Sequence, residues 1–199
     1  MLKRPPVRAG GPHPAPVELN LGERLRQLRT ERRLSVRTLA ARSGFSPSFV
    51  SQVELNHASP SIASLGRLAA ALGVTLSDFF QAADTPGPVF ARAAHRPRLT
   101  SWWSRARIEA LSAAGAGNPF QAVLITLSAG GASGRRPQPQ SGPRFAVVVE
   151  GRVQLTLGEQ THLLAVSDAV TFNGEVPHRW KNADTRPARL LIVSLLFRA

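Results

Sequence analysis

The segment "QAADTPGPV", residues 81–89, divides this chain into halves whose apolar residues repeat with different periods. Asp84, Pro86, Gly87 and Pro88 follow one another too closely for a helix or a ladder to run through, so residues 81–88 read as a linker. From Leu19 to about Phe80 the apolar residues recur at helical spacing. From about Val89 onward, short apolar runs alternate with Gly, Pro, Asn and Asp, the pattern of strands and turns. Each half is long enough to bury a core of its own. The expectation is an α plus β two-domain protein: an all-α unit over 19–80 and an all-β unit over 89–199. A basic tail over 1–18, rich in Pro, Gly and Arg without periodicity, is expected to be disordered.

In the α half, "LGERLRQLRTERR" places Leu21, Leu25 and Leu28 on one stripe of a first helix. Ser35 is positioned to cap a second helix with Val36, Leu39 and Ala40 inward. Gly44 ends that helix, because the residue past a helix adopts a left-handed backbone at no cost only when it is glycine. Ser46 caps the next, with Pro47 at the first helical position, where a missing N–H is harmless. Val50 and Val53 then face inward, leaving Ser48, Phe49, Ser51 and Gln52 on or near the exposed side. "SPSIASLGRLAAALG" and "TLSDFF" complete an expected five-helix unit. Two short helices joined by a Gly-containing turn, the second exposing small polar residues, suit entry into a major groove.

"LSVRTLAARSGFSPSFVSQVELNHASPSIASLGRLAAALGVTLSDFF" resembles the Xre, or lambda-repressor-like, helix-turn-helix family. The resemblance implies that Pro47, Ser48, Ser51 and Gln52 face bases, with Arg37 close by from the preceding helix. It further implies that Asn56, His57 and Ser59 hold phosphate. Ser46 and Ser35 serve as caps, and the backbone N–H groups of those helix starts also meet phosphate oxygens. Val36 stands where the family often has Gln, so readout from that helix rests on Arg37.

The β half contains "FQAVLITL", "RFAVVVEG", "RVQLTLGEQ", "HLLAV", "AVTF" and "ARLLIVSLLF", several with period-two alternation such as Phe145, Val147 and Val149. Strands this short and numerous suggest a small barrel or jelly roll. The stretch from Arg144 to Val193, with its Glu-Gly strand end, its "VPHRW" and its Asn182, resembles the second half of a cupin domain. Metal-binding cupins supply two His, a Glu and a last His. Alignment by that resemblance puts Gln138, Gln140 and Arg144 where the first three would stand and keeps only His178. One imidazole, two neutral amides and a guanidinium do not satisfy a transition metal, so no metal and no other cofactor is expected. His178 is either a packed or hydrogen-bonded residue or a ligand contact. If the cavity is kept, Gln138, Gln140, Arg144, His178 and Trp180 line it, and the arginine fork suits a carboxylate or phosphate. If it is collapsed, Arg144 points to solvent.

Charge and composition narrow the function classes. The formal net charge is +13, nearly all of it arginine, which favours nucleic acid, although an Arg- and Ala-rich composition also follows from genomic base bias. The chain has no Cys and no Tyr, which removes disulfides, thiol catalysis and common acid-base groups. No apolar run approaches a membrane span and no secretory signal opens the chain, so a cytoplasmic location without a membrane partner is expected. Together the halves resemble bacterial Xre-type regulators with a cupin sensor. The resemblance implies double-stranded operator DNA as partner, a small-molecule effector and a homodimer; the Arg144 fork points to an organic acid, and the limited contact of one reading unit to a dimer built mainly through the β domain. It implies no enzymatic activity. Two alternatives stand beside it: a degenerate, metal-independent cupin enzyme fused to a DNA-binding unit, or a cupin that serves dimerisation alone.

Overall fold

The computed structural model describes residues 20–80, 91–102, 104–112 and 120–195. The expected tail over 1–18 and linker over 81–88 lie outside the described residues. Four α-helices make the first unit: α1 (Leu21–Glu31), α2 (Val36–Ser43), α3 (Pro47–Glu54) and α4 (Ile62–Leu72). Each begins on a side chain that takes one of the N–H groups a helix start leaves unbonded: Asn20, Ser35, Ser46 and Ser61 accept from the residues three further on. Gly44 ends α2 with φ 66°, in the left-handed region, and turns the chain into α3. Leu25, Leu28, Leu39, Val50, Val53, Leu65 and Leu68 close the core. At its edge Arg29 grips Glu54 through two bonds of 2.6 and 2.9 Å, tying α1 to the end of α3.

The expected fifth helix is not formed. Leu76–Phe80 is a 3₁₀ turn instead. The Asp78 carboxylate folds back onto the backbone N–H and hydroxyl of Thr75 at 2.7 and 3.0 Å, and Phe79 is fully buried. Those contacts stabilise one tight turn, and the five residues are too few to propagate an α-helix.

Among the described residues nine strands follow, and every pairing is antiparallel. β1 (Arg98–Ser101), β2 (Ala106–Ala110), β3 (Phe120–Leu127), β9 (Ala188–Leu195), β4 (Pro143–Glu150) and β7 (Ala169–Asn173) form a six-stranded sheet in that order. β6 (Gln160–Leu164), β5 (Val153–Leu157) and β8 (His178–Asn182) form a three-stranded one. The closed barrel expected from the sequence is therefore two facing, open sheets. The connection between β3 and β4 explains why: it contains Gly130, Gly131, Gly134, Pro137 and Pro139, and prolines cannot donate to a ladder. Along β8 it forms isolated bridges, Ala132 with Lys181 and Gln138 with His178, and single hydrogen bonds such as Ser133 N–H to Trp180 O, rather than a continuous ladder.

Register decides which residues meet between the sheets. In β4 the period-two pattern holds, but the buried residues are Ala146 and Val148, while Phe145 and Val149 are exposed. Arg144 shares the inward face. In β8 the inward set is His178, Trp180 and Asn182. Asn182 is structural: its amide donates to the carbonyls of Leu127, Ser128 and Arg186, joining β8 to the ends of β3 and β9.

Candidate nucleic-acid interface and ligand cavity

α3 begins at the turn made by Gly44 and presents a narrow polar edge. Ser46, Pro47, Ser48 and Gln52 are exposed and Ser51 is half-buried, whereas Val50 and Val53 are buried. Phe49 is withdrawn from that edge by packing on Phe45, the ring centroids 4.8 Å apart. Arg37, in the first turn of α2, is exposed, as are Arg33 and Arg42. His57 is exposed and Ser59 half-buried in the loop after α3. Asn56, expected at phosphate, has its side chain engaged within the fold. Its Oδ1 accepts from Gly22 N at 3.1 Å and its Nδ2 donates to Asn20 Oδ1 at 2.8 Å, pinning the start of α1.

Between the sheets lies a cavity of about 980 Å³, and its walls come from both units. Gln140, Arg144, His178 and Trp180 line it as expected. Gln138 does not line it; its side chain turns toward α4. The remaining wall was not anticipated: α4 contributes Ile62, Gly66 and Ala69 to the lining, and its cap contributes Gly73. Gly66 allows this approach, since a Cβ there would stand 2.9 Å from Gln140 Nε2. A glycine inside an otherwise helical pattern is the sequence signal for such contact.

The cavity lining mixes polar residues with apolar ones such as Ile125 and Ile192. Arg144 Nε and Trp180 Nε1 are buried and find no hydrogen-bond partner among the described residues. Burial lowers the Arg144 pKa to about 10, which leaves the guanidinium charged at neutral pH. A buried cation without a fixed counter-charge is costly, and an anion entering the cavity relieves that cost. His178 is 5% exposed, packs edge-on against Phe172, and donates from Nδ1 to the Val176 carbonyl at 2.9 Å. Desolvation holds its pKa below the usual imidazole value; the Val176 carbonyl opposes the shift and the Arg144 charge adds to it.

That depression has a stability consequence with a definite sign. The native state resists protonation, so the unfolded state binds more protons below a pH of about 6.5. The contribution is fully present above that pH and is lost progressively as pH falls toward the native pKa, by at most about 1.4 kcal/mol per pH unit. Urea unfolding from pH 7.5 to 5.5 is expected to be less pH-dependent in His178→Gln than in the natural chain. Equal pH dependence of the two would remove His178 from this account.

Among the described residues no three His, Cys, Asp or Glu side chains converge on a metal position. The lining holds one imidazole, His178, and the carboxylates of Asp78 and Glu175 beside the Arg144 guanidinium, and those three possible ligands do not converge on one position.

Comparison with known proteins places both units. A helix-turn-helix family profile matches residues 25–79 and a cupin-domain profile matches 123–194. The chain is 28% identical over 171 residues to the HTH-type transcriptional regulator PuuR of Escherichia coli K12, covering 85% of this chain and 91% of that protein. Among solved structures it superposes on an HTH_3-family transcriptional regulator from Vibrio cholerae with a TM-score of 0.71 at 24% identity, covering 90% of this chain and 96% of the other. The iron(II) form of HppE aligns with a TM-score of 0.50 at 19% identity, covering 89% and 99% of the two chains, a likeness of fold.

Proposed function

This chain belongs to the helix-turn-helix transcriptional regulators that carry a cupin domain, and from that premise we propose that α3 reads an operator while the inter-sheet cavity senses an organic acid. The observation that carries the sensing half is the half-buried Arg144, whose Nε is buried without a partner among the described residues, in a cavity large enough for a metabolite. A carboxylate or phosphate gives that fork two parallel bonds and balances its charge. The apolar face of Trp180 and the Ile192 side chain accommodate the rest of such a molecule.

On the DNA side, Ser48, Ser51 and Gln52 read base edges, Arg37 stands beside them, and the exposed starts at Ser46 and Pro47 lie close to the backbone. His57 and Ser59 meet phosphate in the following loop, where Asn56 contributes mainly by fixing the loop against α1. A Gln side chain offers a donor and an acceptor that match the N6 and N7 edge of adenine.

The test is selection of bound sites from randomised duplex DNA, followed by the same selection with Gln52→Ala. The variant is expected to lose about 1–3 kcal/mol at one base position and to accept other bases there. Binding by both proteins is expected to weaken steeply with salt, because released counterions drive contact with phosphates. A uniform loss across all sequences would remove Gln52 from base readout.

A further inference from the structure

The cavity and the DNA-reading turn are joined by a short chain of contacts that runs through one arginine. Arg67 projects from the middle of α4. Its Nη2 donates to the carbonyl oxygens of Ser43 and Gly44, at 2.6 and 3.2 Å, which are the residues that end α2 and turn into α3. Its guanidinium lies over the Phe45 ring, 4.3 Å from the centroid, and Phe45 in turn packs on Phe49 of α3. From the same fork, Nη1 reaches Gln138 Oε1 in the β unit at 3.4 Å. The Gln138 backbone exchanges two hydrogen bonds with His178, at 3.0 and 3.2 Å, and His178 lines the cavity.

A second, parallel tie fixes the same helix. The Ala63 N–H, in the first turn of α4, donates to Ser133 O at 3.0 Å, and Ser133 is bonded on both its N–H and its hydroxyl to the backbone of Trp180. His178 and Trp180 are alternate residues of β8 and share its cavity face. Both ties join that face to α4, and the Arg67 tie continues through hydrogen bonds to the turn that aims α3.

We propose that Arg67 is the coupling residue of this protein: occupancy of the cavity displaces β8, changes the Arg67 to Gln138 contact, and so alters how firmly the α2–α3 turn is held. The proposal rests on the sensing function assigned above and adds its route. Magnitudes favour the Gln138 bond as the adjustable element. At 3.4 Å it is longer than an ordinary charge-assisted bond, whereas the bond to Ser43 is short. A ligand shifts an equilibrium only by its differential interaction with two states, so a weak contact between rigid units is where a modest binding energy has leverage. Gly44 and Arg67 are fitted closely: a Cβ at Gly44 would collide with Nη2.

The experiment uses the full chain and needs no effector. His178→Ala opens the cavity wall and serves as the perturbation, and amide hydrogen exchange of Gly44 and Phe45, which bond back to Ala40 and Ala41, is the readout. In the natural background His178→Ala is expected to speed that exchange about fivefold; with Gln138→Ala or Arg67→Gln already present the further change is expected to stay below about twofold. Gln138→Ala leaves every Arg67 contact within the helical unit in place, so it remains informative if Arg67→Gln unfolds. An unchanged fivefold response in the Gln138→Ala background, or no response in the natural one, would overturn the coupling. Neither result depends on DNA binding or on an effector, so failure here is distinguishable from failure of the regulator reading.

Discussion

Replacing Arg144 by alanine is expected to abolish the response to an acidic effector while leaving operator affinity within about twofold, since the residue lies between the sheets and away from α3. Losing one partner of a buried hydrogen-bonded charge pair costs about 2–5 kcal/mol, so effector affinity should fall about 30- to 5,000-fold. Two effects combine in that loss. The ligand anion forfeits its bidentate partner, and the cavity loses the charge that made an anion preferable to water. Arg144→Lys keeps the charge but not the fork, and an intermediate loss is expected. The measurement is a melting-temperature screen of carboxylic acids, phosphorylated acids and matched amines against the natural chain and both variants. Stabilisation by amines, or stabilisation by acids that persists undiminished in Arg144→Ala, would remove this residue from recognition.

Much of the helical unit is legible in the sequence because its signals are local. A cap such as Ser46, a proline at the first helical position and a glycine at Gly44 act within three or four residues, and the structure places each where the pattern does. The same locality explains the error at the end of that unit. "TLSDFF" carries a helix start at Thr75, but the Asp78 side chain uses that start to close a single 3₁₀ turn. In the β unit, alternation is visible but its phase is not. Phe145, Val147 and Val149 look like an inward set by hydrophobicity, yet Ala146 and Val148 face the core and carry Arg144 inward with them. A one-residue choice of face decides whether that arginine is a surface charge or part of a cavity wall. The wall supplied by α4 was hidden for a different reason. Packing between units is set by shape at long sequence separation, and only Gly66 hints at it.

The outward face of the large sheet motivates the other large effect. Phe145 and Val149 of β4 and Leu195 of β9 are exposed. Register sets Phe145 beside Val193 and Val147 beside Leu191, so one continuous apolar surface spans the two strands. On a DNA-binding regulator such a surface is expected to meet a second copy of the same chain, because an isologous contact pairs a patch with itself. A dimer engages two half-sites with one association cost, and its advantage over a single reading unit reaches about 10²- to 10⁴-fold. The double variant Phe145→Asp, Val149→Asp places charges on that face without touching the buried residues Ala146 and Val148. It is expected to sediment as a monomer, to keep the helical content of the natural chain, and to bind a two-half-site operator about 100-fold more weakly. On a single half-site the two proteins should bind alike, because each α3 reads its own bases. Sedimentation of the variant as a dimer, or full operator affinity in a monomer, would move the interface elsewhere or remove the need for one.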